Sequence, residues 1–235
     1  PIDYTLGGHD EGDLIWAELV VRNPAVPRES AFLQAARRRR IPIEMEMTLF
    51  FRACPAPIIG VTGTKGKTTT ATVAATLLRQ RWPDALLAGN MGRSAVLELP
   101  SLAADVPVVI ELSSFQLEGL DEQGLAPHIA VVTNIAEDHL DRYASFDEYA
   151  RTKAAIARHQ GPYDWLIYNR DDAALARLLA DAPARKAAFG LSDPGCDFAL
   201  WIGDGRFQAR WAGEEVDLGP VAVLRLPGEH ARLNA

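Results

Sequence analysis

The 235-residue chain is 48% apolar and 23% charged, with a formal net charge of −7. These proportions describe an ordinary globular protein and exclude a disordered or fibrous one. The acidic balance excludes a broad nucleic-acid or anionic-membrane surface, so any recognition of phosphate must be local.

No stretch nears the roughly 20 consecutive apolar residues of a membrane span. Cys54 and Cys196 are the only cysteines and lack metal-type spacing. Two free thiols in a reducing cytoplasm are expected rather than a disulfide framework. The chain opens at Pro1 and stops at Ala235 inside what reads as a starting helix, so the expectation is a piece of a longer protein.

In chain order, residues 18–22 read as a short strand, 29–40 as a helix ending in four arginines, and 41–43 as a returning strand. The arginines suit the negative end of a helix dipole and a solvated surface better than a ligand site. Residues 1–44 hold too few apolar positions to close a core. They are expected to be the remnant of a preceding small α/β domain, with the main domain running over 45–235.

A connecting helix is expected over 44–53. Strands are then expected at 57–62, 85–88, 107–112, 128–134 and 164–169, alternating with helices at 67–81, 94–99, 115–122, 146–159 and 173–181. Continuous apolar strands between helices predict a mostly parallel sheet covered on both faces, an α/β fold. After Pro183, short alternating runs at 198–202, 207–211, 215–218 and 221–224 predict a small antiparallel hairpin sheet packed against the main one.

The stretch Ile58-Ile59-Gly60-Val61-Thr62-Gly63-Thr64-Lys65-Gly66-Lys67-Thr68-Thr69-Thr70 is an apolar strand running through a glycine-bearing turn into a helix. Gly63 and Gly66 let backbone N–H groups converge on an anion, and the helix start adds unpaired donors. Lys67 supplies a point charge for outer phosphates, and Thr68 a hydroxyl for Mg²⁺. Val61 stands six residues before Lys67, where the usual phosphate-loop pattern has glycine, so the loop is a short form.

In an open parallel sheet, ligands gather outside the carboxyl ends of the strands. Three strands end in polar residues: one in Glu111-Leu112-Ser113-Ser114-Phe115-Gln116, one in Thr133-Asn134-Ile135-Ala136-Glu137-Asp138-His139, and one in Gly89-Asn90-Met91-Gly92. Glu111 follows a buried run and needs a cation, either Mg²⁺ or a lysine. His139 reads as a structural loop histidine or a ligand, and Asn90 as a tight turn or a phosphate or sugar contact. Lys153 carries no local signal and reads as part of a solvated helix face.

These stretches, with Lys153, fall in the order found in the Mur ligases, and the whole chain resembles that family. The segments 111–118 and 138–143 are most similar to its D-glutamate-adding type. The resemblance implies an ATP-dependent amide ligase of peptidoglycan precursor synthesis. It would be cytoplasmic and monomeric, and would take UDP-N-acetylmuramoyl-L-alanine and D-glutamate but no nucleic acid.

Three domains are implied, of which this chain would hold the central ATPase and part of the first. The C-terminal amino-acid domain would be absent, and the piece alone inactive. By residue, the resemblance implies ATP contacts from Gly63, Thr64, Lys65, Gly66, Lys67, Thr68, Thr69 and Asn234. Thr68 and Glu111 would hold one Mg²⁺, and His139 with a carbamylated Lys153 a second. Asn90, Ser113 and Gln116 would face the muramoyl-alanine end, and Lys67, Lys153 and His139 would act in catalysis.

The chain departs from the family pattern at Ala25, in a loop that carries glycine near uracil in relatives, at Lys65, which replaces a common Asn, and at Ala231, where a signature Asn is missing. A sibling ligase such as a folylpolyglutamate synthase, and a phosphate-loop switch ATPase, remain alternatives.

Overall fold

In a computed structural model, residues 2–90, 94–138 and 142–223 are described. The chain begins with a 3-10 turn at Glu11–Ile15 that the sequence pattern did not suggest, followed by β1 (Val20–Val21), α1 (Ala31–Arg38) and β2 (Ile43–Glu44). β1 and β2 pair in parallel, and α1 buries Ala35 and Ala36 against Leu14. This small cluster leans on the rest of the molecule, with the Gln123 side chain donating to the Ile43 carbonyl at 3.0 Å. Of the four arginines, Arg37 pairs with Glu122 at 3.6 Å and Arg39 donates to the Glu11 carbonyl at 2.8 Å.

α2 (Glu46–Ala53) follows, then β3 (Ile58–Thr62), α3 (Lys67–Leu78), β4 (Leu86–Gly89), a 3-10 segment (Ala95–Ser101), β5 (Val108–Glu111) and α4 (Ser114–Glu122). β6 (Ile129–Val132), α5 (Phe146–Ala154), β7 (Trp165–Asn169), α6 (Ala173–Leu178), β8 (Arg185–Gly190), β9 (Phe198–Gly203), β10 (Arg206–Trp211) and β11 (Glu214–Pro220) complete the order. The helix expected over 94–99 takes a 3-10 form instead, and Pro100 lies inside that segment. α5 likewise tightens into a 3-10 turn at Ala155–Ala157.

Among the described residues nine strands form one sheet in the order β11-β10-β9-β8-β7-β6-β3-β5-β4. Pairings from β4 through β9 are parallel. β10 and β11 are antiparallel and extend the same sheet at its edge instead of packing on it. β8 was not expected as a strand, because it opens with the charged pair Arg185-Lys186. Residues 221–223, expected as a strand, form a 3-10 turn.

The central strands β3, β5 and β6 are apolar up to their carboxyl ends because each face has a cover. Ile58, Ile110 and Val132 belong to the large cluster with Phe50, Leu117, Tyr149 and Ile156. The alternate residues Val61, Val109 and Val131 meet Ala71 and Ala75 of α3. Small alanines let α3 approach the sheet closely, which sets the phosphate-type loop directly over the end of β3. β3 lies between β5 and β6 while the chain visits β4 first. Its carboxyl end is therefore the topological switch point, where such folds gather ligands. Cys54 and Cys196 are free thiols, and among the described residues no helix is long and apolar enough to cross a membrane.

Candidate functional site

The loop after β3 is strapped to the end of β6. The Thr64 amide donates to the Asn134 carbonyl at 2.8 Å, and the Lys65 amide to Asn134 Oδ1 at 3.0 Å. Asn134 Nδ2 and Thr133 Oγ1 both donate back to the Lys65 carbonyl, at 2.8 and 2.7 Å. Gly63 is required by this closeness: its φ is 151°, and a Cβ there would lie 1.9 Å from Thr133 Oγ1. Gly66, at φ 86°, is the N-cap of α3 and leaves the first-turn donors of that helix uncovered. Lys67 Nζ donates to the Gly63 and Thr64 carbonyls at 3.0 Å each, which places an ammonium at the mouth of the loop. Thr69 follows on the first turn of α3.

Glu111 ends β5 and is 2% exposed. Its Oε2 accepts the Thr68 hydroxyl at 2.7 Å and its Oε1 the Asn90 amide at 3.3 Å. Asn90 is held by its own backbone as well, because its N–H donates to the Glu111 carbonyl at 2.9 Å. Thr68, Glu111 and Asn90 therefore meet at the strand ends, with Lys67 next in sequence to Thr68.

Lys153 corrects the reading of a solvated face, since it is 2% exposed and lies over the Tyr149 ring, 4.9 Å from its centroid. Burial, reinforced by the Lys67 ammonium, pulls its pKa down to about 7 against the opposing pull of Asp138 and Glu111. Tyr149, fully buried, joins this lysine to the loop, its hydroxyl 3.2 Å from Thr64 Oγ1. The same Thr64 oxygen accepts the Ala136 amide at 3.0 Å.

Sequence reasoning passed over Tyr149 as a site residue. Its place four residues before Lys153, on the same helix face, was the available signal. Thr133 and Asn134 were noticed only as strand-end residues, although they fasten the loop.

Ser113 and Gln116 are engaged with each other in a capping box at the start of α4: Ser113 N and Oγ both donate to Gln116 Oε1 at 3.0 Å. That arrangement alone accounts for both residues. His139 and Asn234 lie outside the described residues, as do Met91 and Gly92. Among the described residues no three His, Cys, Asp or Glu side chains cluster as a metal site.

A doubly covered, mostly parallel sheet with a glycine-bent, lysine-tipped loop at its switch point defines a phosphate-loop α/β protein. The sequence model for the Mur ligase middle domain matches residues 61–235, and the chain belongs to the Mur ligase family.

It is 54% identical over 171 residues to the UDP-N-acetylmuramoylalanine--D-glutamate ligase of Roseiflexus sp. (strain RS-1), covering 73% of this chain and 37% of that one. It is 38% identical over 218 residues to the enzyme of the same name from Symbiobacterium thermophilum, covering 92% and 47%. The chain thus spans half or less of the length of these curated relatives. The fold is also that of a MurF ligase from Thermotoga maritima solved in complex with ADP, at TM-score 0.56 and 19% identity over 94% of this chain and 61% of that one.

Proposed function

We propose that this chain is the ATP-binding part of a ligase that joins D-glutamate to UDP-N-acetylmuramoyl-L-alanine through an acyl phosphate. The single observation that supports it most is the meeting of Lys67, Thr68 and Glu111 with the buried Lys153 at the switch point, in a chain whose curated relatives bear that activity in their names. In this reading residues 1–44 belong to the module that holds the UDP-sugar, residues 45–235 form the ATPase, and the amino acid is brought by a further domain. The enzyme works as a cytoplasmic monomer.

A carboxylate is a poor electrophile, and transferring a phosphoryl group to it first makes a good leaving group. The obstacle is that carboxylate and outer phosphate are both anions. The loop amides and the donors at the start of α3 orient the phosphates, with Gly63, Thr64, Lys65, Gly66 and Thr69 lining them. Lys67 exchanges its carbonyl partners for phosphate oxygens. The γ-phosphoryl group passes to the carboxylate oxygen as its bond to ADP breaks. The free amine of D-glutamate then attacks the acyl carbon, the C–N bond forms, and inorganic phosphate departs with the pair of electrons from the C–O bond, carrying away the proton the nitrogen loses.

A magnesium ion fits Glu111 and Thr68, since a buried carboxylate with a hydroxyl at 2.7 Å is a hard oxygen pair of the kind that holds Mg²⁺ together with substrate phosphates. Bound there, the ion would neutralise charge on the phosphates. A second ion would need His139 and an anionic Lys153. The lowered pKa of Lys153 leaves much of it as free amine near neutrality, the form that combines with CO₂ to give a carbamate and a proton. Asn90 contacts the muramoyl-alanine end, with Ser113 and Gln116 setting the edge of that surface, and Asn234 meets the adenine.

The test is phosphate release by the full-length enzyme with and without UDP-N-acetylmuramoyl-L-alanine and D-glutamate. Release that needs both, and is lost in Lys67→Ala without loss of fold, is expected. Release independent of any amine would instead indicate a switch ATPase, and use of another acceptor a sibling ligase.

A further inference from the structure

Residues 23–26, the loop after β1, are gripped from two sides by guanidinium groups. Arg22, only 4% exposed, donates from Nη1 to the Val26 carbonyl at 3.1 Å. Arg142 donates from Nη1 to the Ala25 carbonyl at 3.1 Å and lies over the Phe115 ring, 5.0 Å from its centroid.

Both arginines turn their other nitrogen to one oxygen, Glu118 Oε2, at 3.9 and 3.7 Å. The second oxygen of Glu118 accepts the Tyr143 hydroxyl at 2.8 Å. Glu118 is itself 8% exposed and sits on α4, whose N-cap Ser113 follows Glu111 by two residues.

Two cations held close together repel, and the buried Arg22, which Glu122 also offsets, would be costly without a counter-charge. Glu118 is the carboxylate that meets both at once, and removing its charge weakens both grips on the same loop. The helix that carries it begins just after Glu111, with Ser113 as its N-cap. The cluster therefore connects the loop of the first module to the β5 end of the phosphate site.

We propose that Glu118 is a positioning residue: through Arg22 and Arg142 it fixes residues 23–26 against the ATPase core and so sets the affinity for the UDP-linked acceptor. The proposal rests on the reading above, in which residues 1–44 belong to the sugar-nucleotide module.

In the full-length enzyme, Glu118→Gln keeps an acceptor for Tyr143 but removes the charge. The expected result is a KM for UDP-N-acetylmuramoyl-L-alanine raised about tenfold, with kcat and the KM for ATP changed less than about twofold. Tyr143→Phe, which spares both ion pairs, leaves that KM unchanged. Adding Arg142→Gln to Glu118→Gln costs less than the two single effects combined, because one orphaned charge is gone.

Amide exchange, which needs no activity, is expected to quicken at residues 22–26 in Glu118→Gln and to stay unchanged in α3. Unchanged KM and exchange would overturn the proposal. So would a joint fall of kcat and of affinity for both substrates with a lowered unfolding midpoint, the mark of a merely structural role. A parent enzyme that does not ligate would sink the functional reading and the affinity claim with it, leaving exchange to decide the claim about the loop.

Discussion

Replacing Lys153 with methionine tests the electrostatics of the site directly. The side chain is 2% exposed, and its pKa falls from 10.5 to about 7. At about 1.4 kcal/mol per pKa unit, this is a penalty of roughly 5 kcal/mol on the charged form, which entering water and side-chain relaxation lower to about 2–4 kcal/mol. The sign follows from a base whose folded pKa is depressed. Between about pH 7 and 10.5 the unfolded chain binds more protons, so stability due to this group rises with pH across that window.

Below pH 7 both states are protonated and the whole penalty is present; above pH 10.5 it is gone. Methionine is unbranched and apolar, so Lys153→Met stabilises most near pH 6, and its advantage shrinks steadily towards pH 10. Urea unfolding of parent and variant at pH 6, 7.5 and 9 in CO₂-free buffer measures the difference, in which groups common to both cancel. An advantage that does not change with pH, or a variant less stable than the parent at pH 6, would refute the argument.

Thr68→Val removes the hydroxyl from Glu111 Oε2 and leaves a buried carboxylate oxygen short of a partner. A cost of about 1–3 kcal/mol in unfolding free energy is expected, with ATP-dependent phosphate release in the full-length enzyme lowered at least about tenfold. Gly63→Ala drives a Cβ to 1.9 Å from Thr133 Oγ1 and should cost about 2–3 kcal/mol. Adding Thr133→Ala recovers part of this but not all, because the Asn134 backbone stays 3.2 Å from the new carbon, and thermal melting of the single and double variants reads the non-additivity. Glu46→Ala takes away the acceptor of Ser94 Oγ at 2.8 Å and of the Val96 amide at 3.0 Å. Faster amide exchange at Val96 is expected, with the amides of β3 unaffected.

The central sheet was legible because both of its faces are covered, which makes strands such as Val108–Glu111 apolar up to the last residue and easy to separate from the helices between them. The strands β9, β10 and β11 at one end of the sheet were legible from their alternation and turns, whereas β8 was not. β8 begins with Arg185 and Lys186 because it enters the sheet from the surface, and only Ala188 and Gly190 are fully covered. The phosphate-type loop was readable from its glycines and lysine, since close backbone approach constrains residue type over a few positions in a row. Lys153 was not, because nothing in a helix sequence distinguishes a lysine turned to water from one laid over Tyr149. That difference is made by the packing of α5 against the loop. Ser113 and Gln116 illustrate the opposite hazard: a polar pair at a strand end is also what a helix start requires, and here the capping box uses both.

The arrangement of charge explains why the site needs these parts together. Lys67 and Lys153 repel each other, and Glu111 and Asp138 offset them, so the four side chains come near to formal neutrality in a molecule whose net charge is −7. A nucleotide triphosphate and a carboxylate arriving there would tip the balance strongly negative, and the loop amides of a single helix start, equivalent to about half a unit charge, do not restore it. The Lys67 charge is already counted in that balance and is only redirected when it leaves the Gly63 and Thr64 carbonyls, so the added positive charge would have to come from a divalent ion, for which Glu111 and Thr68 offer oxygens. Converting Lys153 to a carbamate would move the balance the other way, removing a cation and adding an anion between Glu111 and Asp138. In the proposed reading that conversion would be tolerable only together with added positive charge, so carbamylation of Lys153 and binding of metal would be linked, each raising the affinity for the other by the same factor.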